Sequence, residues 1–320
     1  MSARDPEMLV PVYIVTGFLE SGKTRFVNEM LADEGFSEGE RTLILMCEEG
    51  EEEYGKKLLK KSNSLVEPVE SAQQLADGLL NRLDEKYQPE RVIVEFNALW
   101  MLQALYDAPK PECWDLAQIV TLVDANTFDL YLKNMQKVVS DGLREADLVI
   151  FNRCGPDIPK SVYRRRTLAL NATCRIYFEN TDGTMDDGVS DDDLPYDMSA
   201  DPVVVADDQF GVWYIDAMEN SGRYDGKTLK LHGKAFFPKG TPKNCFVFGR
   251  YAMTCCAEDI RGIGFVCQWK GAMPDKDAWI VLTAKAEKAY SPIHGRDAIV
   301  LVGQDVQPGE PMKEELVYFN

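Results

Sequence analysis

One eight-residue motif constrains this chain more than any other feature. Residues 17 to 24 read Gly-Phe-Leu-Glu-Ser-Gly-Lys-Thr, which fits G-x-x-x-x-G-K-[S/T] without a mismatch. The motif follows an apolar run over 10–16 and precedes a helical pattern over 24–31, the context that a phosphate-binding loop requires. Two glycines let backbone N–H groups point at phosphate oxygens, with the positive end of a helix behind them. We therefore predict that this loop binds a nucleotide.

The loop and the strand ends near it supply the candidate chemical groups. We expect Lys23 to reach the outer phosphates and the Thr24 hydroxyl to ligate Mg²⁺. Glu95 ends the apolar run 91–95, where a carboxylate would hold the water shell of Mg²⁺ or orient an attacking water, and Glu51 is a second candidate for ordering that water. Nucleotide contacts in the loop are predicted for Gly17, Glu20, Ser21, Gly22, Lys23, Thr24 and Arg25.

The first half of the chain alternates short β-branched runs with helical patterns, which predicts a parallel α/β sheet covered by helices on both faces. Such a P-loop NTPase sheet binds ligands beyond the carboxyl ends of its strands. Strands are predicted at 12–16, 42–46, 91–95, 119–123, 148–152 and 174–178. Helices are predicted at 24–31, 53–61, 71–84, 98–106, 127–143 and 160–170.

The composition changes abruptly after this region. Residues 179–208 contain eleven Asp or Glu and no Lys or Arg, so we interpret 179–209 as an acidic linker; a metal-collecting acidic tract is the alternative. Short strands with turn signals follow, which predicts a mainly-β barrel or sandwich over 210–320 after a nucleotide-binding domain over 1–178. Its predicted strands are 212–215, 228–236, 245–253, 263–268, 279–284 and 298–306.

Charge and cysteine usage limit the possible partners. A formal net charge of -18 argues against binding to nucleic acid or to anionic lipid, and favours a cationic partner or a metal ion. The sequence shows neither an apolar stretch long enough for direct membrane insertion nor a secretion signal, so we expect a cytoplasmic protein. Its eight cysteines are accordingly expected to be reduced.

Several ordered segments together resemble a known family. The loop, the Thr-Leu-Val-Asp-Ala run at 121–125 and the Ala-Asp-Leu-Val-Ile-Phe-Asn-Arg run at 146–153 resemble the GTPases of the CobW type, relatives of the hydrogenase and urease nickel-insertion GTPases. The resemblance implies GTP as the nucleotide, with ATP as the alternative. It also implies base contacts from Asn152 and Arg153, the first two positions of N-K-x-D, and a switch segment at 47–51.

Three departures from the family pattern bear on function. Ala98 replaces the glycine whose N–H would sense the γ-phosphate, and Gly155 stands where the tetrad's Asp would accept two hydrogen bonds from guanine. Losing that acceptor weakens discrimination against adenine, because a buried polar edge loses its partner. The metal-binding C-x-C-C signature of many relatives is absent between Glu51 and Glu95, which argues against metal delivery through that signature.

Two clusters of residues that contain cysteine are candidate zinc sites. Cys47 and Glu48 lie at the end of the second predicted strand, where zinc binding would couple to hydrolysis; ordinary packing of Cys47 is the equal alternative. Cys255 and Cys256 belong to a Thr-Cys-Cys segment, and residues 225–320 resemble the C-terminal domain of a family of permease subunits carrying that segment. For these cysteines a buried strand with a structural turn is favoured over metal binding.

These observations give two hypotheses. The first is a Mg²⁺-dependent slow GTPase whose nucleotide state controls zinc or similar metal transfer, or contact with a metal-dependent client protein. The second is a nucleotide-sensing interaction module with negligible turnover that docks on a transporter component. A small-molecule kinase is less favoured, because the chain shows no arginine-rich lid.

Overall fold

The computed structural model describes residues 8–37, 39–189, 194–254, 259–291 and 296–319. The chain divides into two compact units. The first contains the residues up to 160 together with 170–189, and the second contains 161–169 and the residues from 190 onward. Within the predicted linker the structure has two short strands, Met185–Asp186 and Val203–Val204. The linker and the predicted domain boundaries stay predictions.

The first unit is built on one sheet of eight strands. Its strands are β1 (Val10–Thr16), β2 (Thr42–Met46), β3 (Ser64–Pro68), β4 (Arg91–Glu95), β5 (Trp114–Asp124), β6 (Leu148–Cys154), β7 (Arg175–Asn180) and β8 (Met185–Asp186). They lie in the order β3-β2-β4-β1-β5-β6-β7-β8, and every neighbouring pair is parallel except β7 and β8. Parallel order brings the carboxyl ends of β1, β4 and β5 to one edge.

Helices cover this sheet. They are α1 (Lys23–Ala32), α2 (Lys56–Lys61), α3 (Ala72–Ala76), α4 (Leu79–Tyr87), α5 (Gln103–Tyr106), α6 (Phe128–Asn134) and α7 (Gln136–Arg144). The next helix along the chain is α8 (Lys160–Leu170), and its residues 161–169 belong to the second unit. Alternate residues of β1 enter separate cores, Val12 and Ile14 one and Val15 the other. Apolar residues thus point to both faces, as expected for a covered parallel sheet.

The second unit contains a closed ring of strands. Its elements are β9 (Val203–Val204), α9 (Phe210–Glu219), α10 (Ser221–Tyr224), β10 (Thr228–Phe236), β11 (Cys245–Ala252), β12 (Arg261–Gln268), β13 (Trp279–Ser291), β14 (Arg296–Pro308) and β15 (Leu316–Val317). Pairing runs from β10 through β11, β12, β14 and β13 back to β10. This closure selects the barrel from the two predicted alternatives, and β9 and β15 extend it.

The predicted fold class is confirmed, with local corrections. The segment 212–215, predicted as a strand, lies inside helix α9. The predicted helix 71–84 is divided at Gly78, whose φ of 77° ends α3 and begins α4. The predicted helix 127–143 is divided at Met135, and strand β3 was not predicted. Across the described ranges, no helix is long and apolar enough to cross a membrane.

Candidate functional site

The loop between β1 and α1 has a backbone that its glycines permit. Gly17 has a φ of 147° and Gly22 a φ of 90°, conformations that other residues rarely adopt. A Cβ on Gly17 would lie 2.3 Å from the Leu122 carbonyl oxygen, and a Cβ on Gly22 would lie 3.0 Å from Asn152 Nδ2. The glycines therefore allow the tight curl that the motif predicts.

Lys23 is the central charge of the loop. Its side chain is buried, and its Nζ donates hydrogen bonds to the carbonyl oxygens of Gly17 at 3.0 Å and Phe18 at 2.9 Å. A third bond, 2.6 Å long, goes to Glu48 Oε2. The two carbonyl contacts fix the ammonium group beneath the loop. Glu48 Oε2 is thus the acceptor that a phosphate oxygen would replace.

Glu95 connects three elements at the end of β4. Its side chain is buried, its Oε1 accepts a 2.7 Å hydrogen bond from the Thr24 hydroxyl, and its Oε2 accepts one from the Tyr54 hydroxyl. Burial raises the pKa of Glu95, while the bonds from Tyr54 and Thr24 and the charge of Lys23 oppose that shift. A hydroxyl and a carboxylate side by side are the oxygen ligands that suit Mg²⁺. Sequence reasoning missed Tyr54.

The predicted switch segment, residues 47–51, is attached to the loop by Glu20. Glu20 Oε1 accepts a 3.0 Å hydrogen bond from the Glu51 backbone N–H. Gly50 fits closely beside the same carboxylate, since a Cβ there would lie 3.0 Å from Glu20 Oε1. The Glu51 side chain itself is exposed. Its predicted role in ordering a water therefore stays a prediction.

Cys47 begins the switch segment from a buried position. Its N–H donates to the Glu95 carbonyl oxygen at 2.9 Å, and its side chain packs in an apolar core. Burial raises the pKa of its thiol to about 12. Because zinc binds the thiolate, Cys47 could ligate zinc only if the segment opened. Across the described residues, no three His, Cys, Asp or Glu are grouped so as to hold a metal; Cys255 and Cys256 lie outside those residues.

The other end of the loop contacts the predicted base-reading residues. Asn152 Nδ2 donates to the Ser21 carbonyl oxygen at 2.7 Å, while its buried Oδ1 has no hydrogen-bond partner among the described residues. Arg153 has a φ of 56°, and its guanidinium pairs with Asp124 at the end of β5. Asn152 thus has a structural bond to the loop and a buried acceptor without a partner among the described residues, and its base contact stays a prediction.

Arg25, predicted to contact the nucleotide, is tied to two carboxylates. On α1 its guanidinium pairs with Glu29 at 2.9 Å and with Glu179. The hydrogen bond that Arg25 donates to Glu179 is the main reason why the pKa of Arg25 is raised, and the bond to Glu29 adds to it. A nucleotide contact from Arg25 would need one of these pairs to rearrange, and it stays a prediction.

Two adjoining pockets open at this edge of the sheet. The polar one has a cavity volume of about 40 Å³ and is lined by ten residues, among them Lys23, Thr24, Glu48 and Glu95. The larger one has a cavity volume of about 160 Å³ and lies between the loop, β5 and helices α6 and α7. Its mainly apolar lining includes Phe18, which stacks on Tyr131. The larger size of the apolar pocket favours it as a ligand site. The charged groups, however, converge in the polar pocket, which we therefore take as the candidate phosphate site.

Two known protein families match this chain, one in its N-terminal part and one in its C-terminal part. Residues 11–157 match the nucleotide-binding domain described as CobW/HypB/UreG, and residues 184–318 match the DUF1980 C-terminal domain. The resemblance stated from the N-terminal sequence is thereby confirmed.

The individual proteins that match this chain do so at low sequence identity. Zinc-regulated GTPase metalloprotein activator 1 of Schizosaccharomyces pombe is 26% identical over 211 residues, which cover 58% of this chain. The match spans about half of that relative, 48% of its length. The zinc-bound YjiA GTPase of E. coli aligns with a TM-score of 0.42 at 18% identity, covering 72% of this chain and 73% of YjiA. The hydrogenase maturation factor HypB of Archaeoglobus fulgidus aligns with a TM-score of 0.36 at 15% identity, covering 54% of this chain and 82% of HypB.

Proposed function

We propose that this chain, which carries a nucleotide-binding domain of the CobW/HypB/UreG family, is a slow Mg²⁺-dependent GTPase that couples its nucleotide state to the handling of zinc or a similar metal. The observation that carries the proposal is the convergence of Lys23, Thr24 and Glu95 in one pocket below the phosphate-binding loop. Support for the metal comes from the zinc-regulated activator to which the chain is similar.

The residues of the pocket fit the chemistry of phosphate transfer. Lys23, already held by two loop carbonyls, would neutralise charge on the outer phosphates. The Thr24 hydroxyl and Glu95 would hold Mg²⁺, which neutralises charge between the phosphates. Glu51 or Glu95 would orient the attacking water. Hydrolysis would then depend on positioning and electrostatics rather than on a covalent nucleophile.

The nucleotide assignment is tested by calorimetry on the whole chain. Lys23→Ala should abolish nucleotide binding, because the phosphates lose the buried cation that faces them. Lys57→Ala is the matched control, since Lys57 is exposed on α2 and should leave the affinity unchanged. Equal affinity in wild type and Lys23→Ala would remove the phosphate-loop assignment.

The metal assignment needs a separate titration. Zinc is added to wild type and to Cys47→Ser, with bound nucleotide and without it. Zinc bound through Cys47 should be lost in the variant, and nucleotide should alter the wild-type affinity, because the switch segment carries Cys47 and contacts the loop through Glu20. Equal stoichiometry and affinity in the two proteins would dismiss a zinc site at Cys47.

A nucleotide-sensing module with negligible turnover is the second candidate, and position 98 favours it. Ala98 stands where relatives have the glycine that senses the γ-phosphate, in a short 3₁₀ turn capped by the Asn97 side chain, which accepts from the Leu99 N–H at 3.0 Å. Docking on a transporter component would be the output of such a module. Single-turnover hydrolysis separates the candidates, because the module should retain intact triphosphate for hours with Mg²⁺ and zinc present.

A further inference from the structure

Three residues after the switch segment, one side chain contacts the predicted magnesium site. Tyr54 is partly buried, its ring packs against the core formed by β1, β4 and α1, and its hydroxyl donates to Glu95 Oε2. The Asn28 amide on α1 donates to the Glu53 carbonyl oxygen at 3.3 Å and holds the backbone beside it. The Tyr54 ring is therefore held in place by its packing in the core and by the hydrogen bond to the backbone of the preceding residue.

The two hydroxyl groups that donate to Glu95 bind different oxygens of its carboxylate. Oε1 accepts from Thr24 and Oε2 accepts from Tyr54, so each oxygen has one fixed partner. The terminal torsion of a glutamate has broad minima and does not fix the carboxylate plane by itself. A second donor on a rigid ring removes that freedom. Because Glu95 is buried, the loss of either donor would leave an oxygen without its partner.

We propose that Tyr54 is a positioning residue that orients the Glu95 carboxylate toward Thr24 and so sets the affinity of the nucleotide complex for Mg²⁺. The proposal deepens the function proposed above and rests on it. Tyr54 acts through Glu95, in the way that outer-shell partners orient metal ligands in other proteins. Since Tyr54 follows the switch segment by three residues, the same bond makes magnesium affinity depend on where this part of the chain lies.

The test uses the full chain and a fluorescent GTP analogue. Tyr54→Phe keeps the ring in the core and removes only the hydroxyl. We expect its affinity for the analogue in EDTA to stay within about twofold of wild type, while the Mg²⁺ concentration for half-maximal enhancement of binding rises about tenfold. Tyr87→Phe is the matched control, because Tyr87 donates to Glu67 on β3, remote from the loop, and its Mg²⁺ dependence should match wild type.

The possible results test the role of Tyr54 separately from the proposed nucleotide binding. Equal Mg²⁺ dependence in wild type and Tyr54→Phe would overturn the inference and leave the nucleotide site standing. A loss of affinity in EDTA as large as the loss in Mg²⁺ would assign Tyr54 a structural role and overturn it as well. Wild-type protein that binds no analogue under either condition would instead remove the proposed function, and the inference with it.

Discussion

Lys23 and Glu48 form an ion pair 2.6 Å long inside the polar pocket, where the outer phosphates of a nucleotide are predicted to lie. Both side chains are shielded from solvent, with 3% of Lys23 and 13% of Glu48 exposed. A phosphate oxygen and the Glu48 carboxylate would compete for one ammonium group. If nucleotide binds at Lys23 as proposed, it would therefore displace the Glu48 carboxylate from the ammonium group.

The first prediction follows from that competition. Glu48→Gln should raise nucleotide affinity measured without Mg²⁺ by about three- to tenfold, because the neutral amide holds Lys23 less strongly and does not repel phosphate. Glu49→Gln removes one charge from the neighbouring exposed position and serves as the control for net charge. Both proteins are titrated with a fluorescent GTP analogue. A gain of the same size in both variants would show that overall charge, and not the Lys23 pair, is responsible.

The phosphate loop could be predicted from sequence because its geometry is local. Gly17, Gly22 and Lys23 lie within seven consecutive residues, and the backbone angles of the two glycines are ones that this residue type permits. The contact between Tyr54 and Glu95 joins residues 41 positions apart. It exists only because parallel pairing places β2 beside β4, and single-sequence patterns do not specify that pairing.

The error at 210–219 has a different cause. A buried helix and a buried strand both appear as short apolar runs, and Val212–Ile215 was too short for the period to separate them. In the structure Phe210, Trp213 and Ile215 are buried on α9, so apolar residues occupy more than one face of the helix. The division of the predicted helix at Met135 carried no glycine or proline signal.

The second prediction concerns the conformation of the loop. Gly17→Ala should lower the free energy of unfolding by about 2 kcal/mol or more and abolish nucleotide binding, since its Cβ would lie 2.3 Å from the Leu122 carbonyl oxygen. Gly55→Ala is the control, because nothing lies within 4 Å of a Cβ there. Chemical denaturation measures the first effect and calorimetry the second. Wild-type behaviour of Gly17→Ala would contradict the loop geometry.

The third prediction is a pH effect in the second unit. Tyr196 and Tyr224 share a 2.6 Å hydroxyl contact, and the Tyr224 hydroxyl also donates to Asp216. Burial raises the pKa of both phenols, and the Asp216 charge acts in the same direction. Above pH 10 the unfolded tyrosines ionise while the folded ones stay neutral, so stability should fall as pH rises. Urea denaturation from pH 9 to 11 should show a flatter fall in Tyr196→Phe than in wild type, and equal slopes would refute the assignment.

The fourth prediction restores a base contact that this chain lacks. A Cβ on Gly155 would meet no atom within 4 Å, and the φ of Gly155 lies outside the left-handed region that favours glycine, so a Cβ is accommodated there without strain. Gly155→Asp should raise the preference for GTP over ATP about tenfold or more, because a carboxylate can accept both hydrogen bonds from the guanine edge. Gly155→Asn supplies the same shape without the charge and should gain less. Competition of GTP and of ATP against a fluorescent GTP analogue gives the ratio directly, and an unchanged ratio in Gly155→Asp would mean that the base is not recognised beside Asn152.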